Sequence, residues 1–289
     1  MRALGKAIAG ALVLAVVTVG CMPADGSGGT WRTVSWSRAD SPDSATLPLA
    51  ADVSFTAGRF NLRAASEAAL YSADLTWNSE GRAQPEHSFD PASRTLQVGL
   101  GRAESNVPGD GRSGDGRLRL ALTRSVPVAL QVRLAGTASD LDLTGMLVES
   151  AQVSGSMSDI RVHIDEPNQY PASLLRLDNR YGRMTATRLG NANVDTVAVH
   201  NDIGSAVLDF SGRWSRDMVL QLDASLSRVE LRVPDGIGVQ VELDDRWSEA
   251  PSGWLRDGNR VTSPNWDGAR HKLTVLGRKT LTRLVVVSG

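Results

Sequence analysis

The chain has 289 residues, with 31 Lys and Arg against 32 Asp and Glu and a formal charge of -1. Its basic residues are scattered, so there is no electropositive field to hold nucleic acid by counterion release, and nucleic acid is excluded as a partner. The length suffices for one or two packed domains, and 28 glycines among alternating valine, leucine and charged residues favour strands and tight turns over helices.

The first residues carry a targeting pattern. Arg2 and Lys6 precede an uncharged run, Ala7 to Gly20, of 14 residues. That is short of the roughly 20 residues a membrane-spanning helix needs, and it suits the apolar core of a signal peptide. The run ends at Thr18-Val19-Gly20-Cys21, which resembles the bacterial lipobox, with Thr18 where the pattern prefers Leu. The resemblance implies a cut just before Cys21 and a diacylglycerol on its thiol. Cys21 is the only cysteine, so it has no disulfide partner within the chain, and acylation would remove an otherwise reactive thiol. An ordinary secretory peptide or an uncleaved membrane helix are the alternatives. The expected location is therefore lipid-anchored at the cell membrane or outer membrane, facing away from the cytoplasm.

Residues 22–46 are rich in Gly, Ser, Asp and Pro and read as a flexible tether. Trp31 and Trp36 interrupt it, either to rest on a bilayer interface or to dock on the folded domain. From Leu47 onward the hydrophobic period is two, as in Val53, Phe55, Phe60 and Leu62 and again in Val128, Leu130, Val132 and Leu134. An alanine-rich stretch within Leu62 to Leu75 leaves room for one short helix or a turn. Residues 102–116, polar and glycine-rich, read as a loop, so 47–125 is expected to be an N-terminal β segment.

Residues 126–289 carry an internal repeat. Val132 to Leu143, Val153 to Ile164, Leu177 to Ala186, Val199 to Leu208 and Leu222 to Leu231 share one phrase, with an earlier copy at Val53 to Leu62. The small residues Ser139, Ser158, Gly182, Gly204 and Ser227 recur at intervals of 19, 24, 22 and 23. Such periods suit one turn of a β-solenoid, in which stacking buries a face that no single turn can bury. Gly or Ser at a constant place fits a tight corner, and Asn179, Asn201 and Asp202 can satisfy backbone groups there. The alternative is an antiparallel sandwich with evenly spaced hairpins. The strands near Val239, Lys272 and Thr282, with the loop holding Trp254 and Trp266, are expected to cap the open end.

The phrases Asp52 to Leu62, Leu141-Asp-Leu-Thr-Gly145, Val153 to Ile160 and Pro234 to Val241 resemble the bacterial toast-rack group of adhesin-like domains of unknown function, related to the C-terminal domain of LiaF-like envelope-stress proteins. The resemblance spans roughly residues 47–289. It implies an all-β fold, a right-handed β-solenoid-like stack, and no established catalytic set.

Chemical motifs are sparse. His87, His163, His200 and His271 lack the spacing of a zinc site. Asp140, Asp142, Asp159, Asp202, Asp223, Asp244 and Asp245 recur near corners, but no calcium-loop pattern organises them. Nucleophile-elbow, phosphate-loop and dinucleotide fingerprints are missing. No metal, cofactor or catalytic residue is expected. Trp247, Trp254 and Trp266 cluster late in the chain as a candidate binding surface for a sugar or peptide, or else as a plug for the stack. The functional expectation is a non-enzymatic envelope lipoprotein acting as scaffold, adhesin-like surface or sensing partner. It would be held to the membrane through lipid on Cys21, with an envelope protein or glycan as partner. The alternative is a glycan-binding module or a glycan-active hydrolase.

Overall fold

The structure, a computed structural model, describes residues 14–19, 30–39, 47–66, 69–81, 83–102, 116–244 and 251–289. In chain order the strands are β1 (Leu14–Val19), β2 (Trp31–Ala39), β3 (Leu49–Ala64), β4 (Ala69–Asn78), β5 (Ala83–Asp90), β6 (Thr95–Arg102), β7 (Gly116–Leu122), β8 (Pro127–Asp142) and β9 (Leu147–Ser156). They continue as β10 (Asp159–His163), β11 (Leu174–Thr187), β12 (Thr196–Asp209), β13 (Met218–Val233), β14 (Ile237–Leu243), β15 (Leu255–Asp257), β16 (Arg260–Thr262), β17 (His271–Thr280) and β18 (Arg283–Ser288). A 3-10 turn at Leu189–Asn191 is the one helical element among the described residues, and the alanine-rich stretch carries the end of β3 and the start of β4, with residues 67 and 68 outside the described residues.

Five strands, β3, β8, β11, β12 and β13, run 14 to 16 residues and turn a corner midway. Each therefore has two limbs. Alternation puts the same register positions of every limb inside. Val98, Val53, Val132, Val153, Leu177, Val199 and Leu222 form one buried row across the first limbs. Leu120, Leu62, Leu141, Val162, Ala186, Leu208, Leu231 and Val286 form its counterpart across the second limbs. The core lies between these limbs, and most of its stabilisation is removal of aliphatic surface from water.

The open right-handed β-solenoid with a C-terminal cap, expected from the repeats, is not the fold. β8 pairs in parallel with β9 along its first limb and with β10 along its second, and β11 does the same from the other side. The strands β8, β9, β11 and β10 thereby close into a four-stranded parallel barrel, and the other strands lie outside it. Repeat spacing reports that successive segments pair in register. It cannot report that two bent strands share both partners, which is what closes the ring. The late strands are no separate cap either, since β17 and β18 extend the sheet in parallel with β13. On the other flank β7 pairs in parallel with β3, and β4 pairs antiparallel with both β7 and β2. Trp31–Ala39, within the expected tether, is a strand paired with β1 and β4.

The corners repeat one backbone solution. Ala57, Gly136, Met157, Tyr181, Ile203, Leu226 and Leu281 all have positive φ, between 45° and 63°. For an L residue this conformation costs about 1–2 kcal/mol, and it is least suited to a β-branched side chain such as Ile203. The residue that follows must be small, because strand backbones meet there: a Cβ on Gly204 would lie 2.0 Å from the Gly182 carbonyl oxygen, and one on Gly182 would lie 2.1 Å from that of Ser158. Ser158, Gly182, Gly204 and Ser227 share this place, as the repeat suggested. Ser139 does not. Its strand presents Thr137 there, and Ser139 sits two residues along, opposite Phe60 and Ile160.

Buried asparagines brace the turns. Asn179 donates from Nδ2 to Asn201 Oδ1 at 2.8 Å and to the Gly182 carbonyl at 3.1 Å, and both residues are fully buried. Between strands, Asn168 binds the Val148 N–H and C=O, and Asn191 donates to the Ile164 carbonyl while accepting from the Arg213 N–H. These bonds satisfy loop backbone that burial would otherwise leave costly.

Gly204→Ala is expected to lower unfolding stability by roughly 1–3 kcal/mol through backbone overlap. Gly236→Ala, where a Cβ meets nothing within 4 Å, should stay within about 0.5 kcal/mol. Urea unfolding of both variants checks this, and equal midpoints would refute the close-approach account.

Candidate functional site

Cys21 and Trp247 lie outside the described residues. Trp254 precedes β15 and is half-buried, packed against the core, with its backbone N–H donating to the Pro251 carbonyl at 3.3 Å. Trp266 follows β16, and its backbone N–H donates to the Ser263 carbonyl at 3.1 Å. Lys272 Nζ stands 5.0 Å from the centroid of its ring, so a cation already occupies one ring face. The two tryptophans thus flank the β15–β16 hairpin, which pairs antiparallel with β14.

The earlier tryptophans resolve differently. Trp36 docks on the domain. Its ring stacks on His87, with centroids 4.6 Å apart and planes 3° from parallel. Tyr71 Oη lies 3.1 Å from His87 Nε2, Phe89 packs 5.5 Å from Tyr71, and the Arg38 guanidinium sits 4.4 Å over Phe89. This cluster joins β2 and β4 to the β5–β6 hairpin. Burial holds the His87 pKa below the ordinary histidine value and pushes that of Tyr71 up, while Arg38 pulls Tyr71 partly back. Nothing in the sequence marked these residues as neighbours, because β2 and β5 are remote along the chain and meet through side-chain packing on Tyr71 of β4, not through a shared strand pairing.

Polar chemistry concentrates on the outer face of the first limbs. In register, Ser54, Arg133, Ser154, Asp178, His200, Asp223 and Arg278 form one row across seven strands. Neighbours along such a row are about 4.8 Å apart. Arg133 pairs with Asp52, Arg176 Nε donates to Asp178 at 2.9 Å, and Arg278 donates to Asp223 at 2.8 Å with His200 3.8 Å from the same carboxylate. The Asp178 carboxylate holds the Arg176 pKa above its ordinary value. An open groove of about 420 Å³ runs over the row between Arg176 and Arg278. A second of about 400 Å³ reaches from Arg133 to His200. Both acids in the row are ion-paired, and among the described residues no tryptophan lines either groove. The row was not singled out beforehand. Its signal was the shared register of positions 133, 154, 178, 200 and 223, one polar residue at the same offset in each repeat.

The corner carboxylates disperse. Asp140 and Asp142 flank His163 at 3.3 and 3.4 Å, Asp159 faces Arg183, and Asp202 accepts from Ser225. Asp223 belongs to the charged row, Asp244 is exposed, and Asp245 lies outside the described residues. Among the described residues no three His, Cys, Asp or Glu side chains gather to hold a metal. Among them, too, no helix is long and apolar enough to cross a membrane.

Residues 35–176, nearly half of the chain, match the family described as the N-terminal domain of toast_rack, DUF2154. No curated protein matches the chain. Among solved structures, a candidate cell adhesion protein from Clostridium sporogenes is similar at 10% identity and a TM-score of 0.40, over 96% of this chain and 100% of its own. A candidate adhesin from Bacteroides fragilis is similar at 10% identity and a TM-score of 0.37, over 93% and 100%.

His87 gives the aromatic cluster a pH signature. Its folded pKa lies below the unfolded value of about 6.5, so protons bind the unfolded chain preferentially. The neutral ring's contribution is complete above that value and is lost as pH falls through it toward the folded pKa. The thermal midpoint should therefore drop more between pH 7 and pH 5 in the parent than in His87→Phe, and parallel curves would refute the assignment.

Proposed function

We propose that this chain is a non-enzymatic envelope lipoprotein, held to a membrane through Cys21, whose β domain is a scaffold for another envelope component. The leader supports the anchor: Arg2 and Lys6, an apolar run too short to span, and a lone cysteine at the cleavage position, where the cut would remove β1 and leave β2 paired with β4. The observation that carries the scaffold reading is the row from Arg133 to Arg278. Its charges are spaced by the sheet and locked in pairs, so a partner would meet a preset pattern and not a mobile one. Hydrolysis is the weaker reading, since Asp178 and Asp223 are each committed to an arginine in an open groove. Trp254 and Trp266 form a secondary contact candidate beside β14, with glycan or protein as ligand.

Two measurements test this. Radiolabelled palmitate should enter the parent and not Cys21→Ser; equal labelling would refute acylation at that residue. In pull-downs from detergent-solubilised envelope, Arg133→Gln combined with Arg278→Gln should recover partners about tenfold less well than the parent. Unchanged recovery would remove the charged row from the proposal, and a loss confined to Trp254→Ala with Trp266→Ala would transfer binding to the late hairpin.

A further inference from the structure

The left-handed corners stack. Register places Ala57, Gly136, Met157, Tyr181, Ile203, Leu226 and Leu281 side by side across consecutive strands. From Met157 onward every one is large and apolar. All five are exposed: Met157 by 68%, Tyr181 by 56%, Ile203 by 39%, Leu226 by 54% and Leu281 by 79%. They make up more than half of the exposed large hydrophobics of the described chain, and they occupy a ridge about 20 Å long at strand spacing. The placement is doubly unfavourable for folding. These positions are strained for bulky side chains, where Gly or Asn would sit at ease, and the side chains gain little burial. A folding role does not account for them.

Two residues past the ridge, on the second limbs, runs a row of Arg117, Arg59, Ala138, Asp159, Arg183, Ser205, Arg228 and Arg283. It holds five arginines and one acid. Arg117 and Arg59 are direct neighbours, with no carboxylate between them. On the other side of the ridge stand Thr56, Ala135, Ser156, Arg180, Asp202, Ser225 and Thr280. A shallow hollow of about 410 Å³ lies between Met157, Tyr181 and Arg183.

We infer that this ridge docks on an anionic phospholipid bilayer, its apolar tips entering the interface while the arginine row meets the headgroups. A line of separate exposed tips suits a deformable surface, and guanidinium groups beside it complement anionic headgroups. Tyrosine is at home at that depth. The docking would set the domain's orientation on the membrane. It does not rest on acylation of Cys21, and its test removes that residue from the outcome.

The experiment is vesicle co-sedimentation of full-length Cys21→Ser protein. Zwitterionic phosphatidylcholine vesicles are compared with vesicles containing 30% phosphatidylglycerol, each at low and at physiological salt. The parent should partition onto the anionic vesicles. Adding Tyr181→Asn, Leu226→Asn and Leu281→Asn should reduce partitioning at least about tenfold. The thermal midpoint of that variant should hold or rise, because Asn tolerates the left-handed backbone. Arg59→Gln with Arg183→Gln should weaken anionic binding and flatten its salt dependence. Parent and asparagine variant binding alike, or neither binding anionic vesicles, would overturn the inference. So would equal partitioning of the parent on both vesicle types.

Discussion

Everything in this molecule depends on how closely two strand backbones approach at the corner. Where Gly182 and Gly204 meet, a single Cβ would overlap a carbonyl oxygen. That contact forces a small residue at one position and a left-handed residue at the position before it. Once a strand bends there, its two limbs hydrogen-bond to different partners, and the apolar rows of the limbs face each other. The barrel, its core and its outer charge pattern all follow from that bend. Interiors are packed too densely for one bulky corner to be absorbed without shifting its neighbours.

Much of this was legible in the sequence, and the limits have physical causes. Period-two alternation is local, so the strands could be read directly. The recurrence of Ser158, Gly182, Gly204 and Ser227 located four corners, because backbone contact leaves a size constraint on the chain. Ser139 misled because Thr137 fills the constrained place and the eye follows the smaller residue. Closure of the ring was not legible, since periodicity says nothing of whether β8 and β11 share both neighbours. Trp36 was ambiguous for a related reason: its partner His87 comes from a hairpin whose position only long-range pairing decides.

The candidate surfaces were less visible than the fold. The row from Arg133 to Arg278 is assembled from one residue per strand, so no short segment displays it. Composition contributed only its negative side, in the absence of a basic field and of catalytic motifs. The corner ridge was hidden for the opposite reason. Met157, Tyr181, Ile203, Leu226 and Leu281 each precede a small or polar residue and read as ordinary strand hydrophobics. Only their positive φ and exposure set them apart.

The outer pairing of β13 has an implication for biogenesis. This strand of 16 residues meets β12 on one side, and among the described residues its other side is covered by β17 and β18, which begin 53 and 65 positions after it does. During synthesis or export the chain must therefore hold a long unpaired β edge until residues 271–288 arrive. Such an edge is a template for mispairing with another chain. The intervening hairpin sequence delays completion, and the maturation of this protein is thus governed by a gap in time as well as by a contact in space.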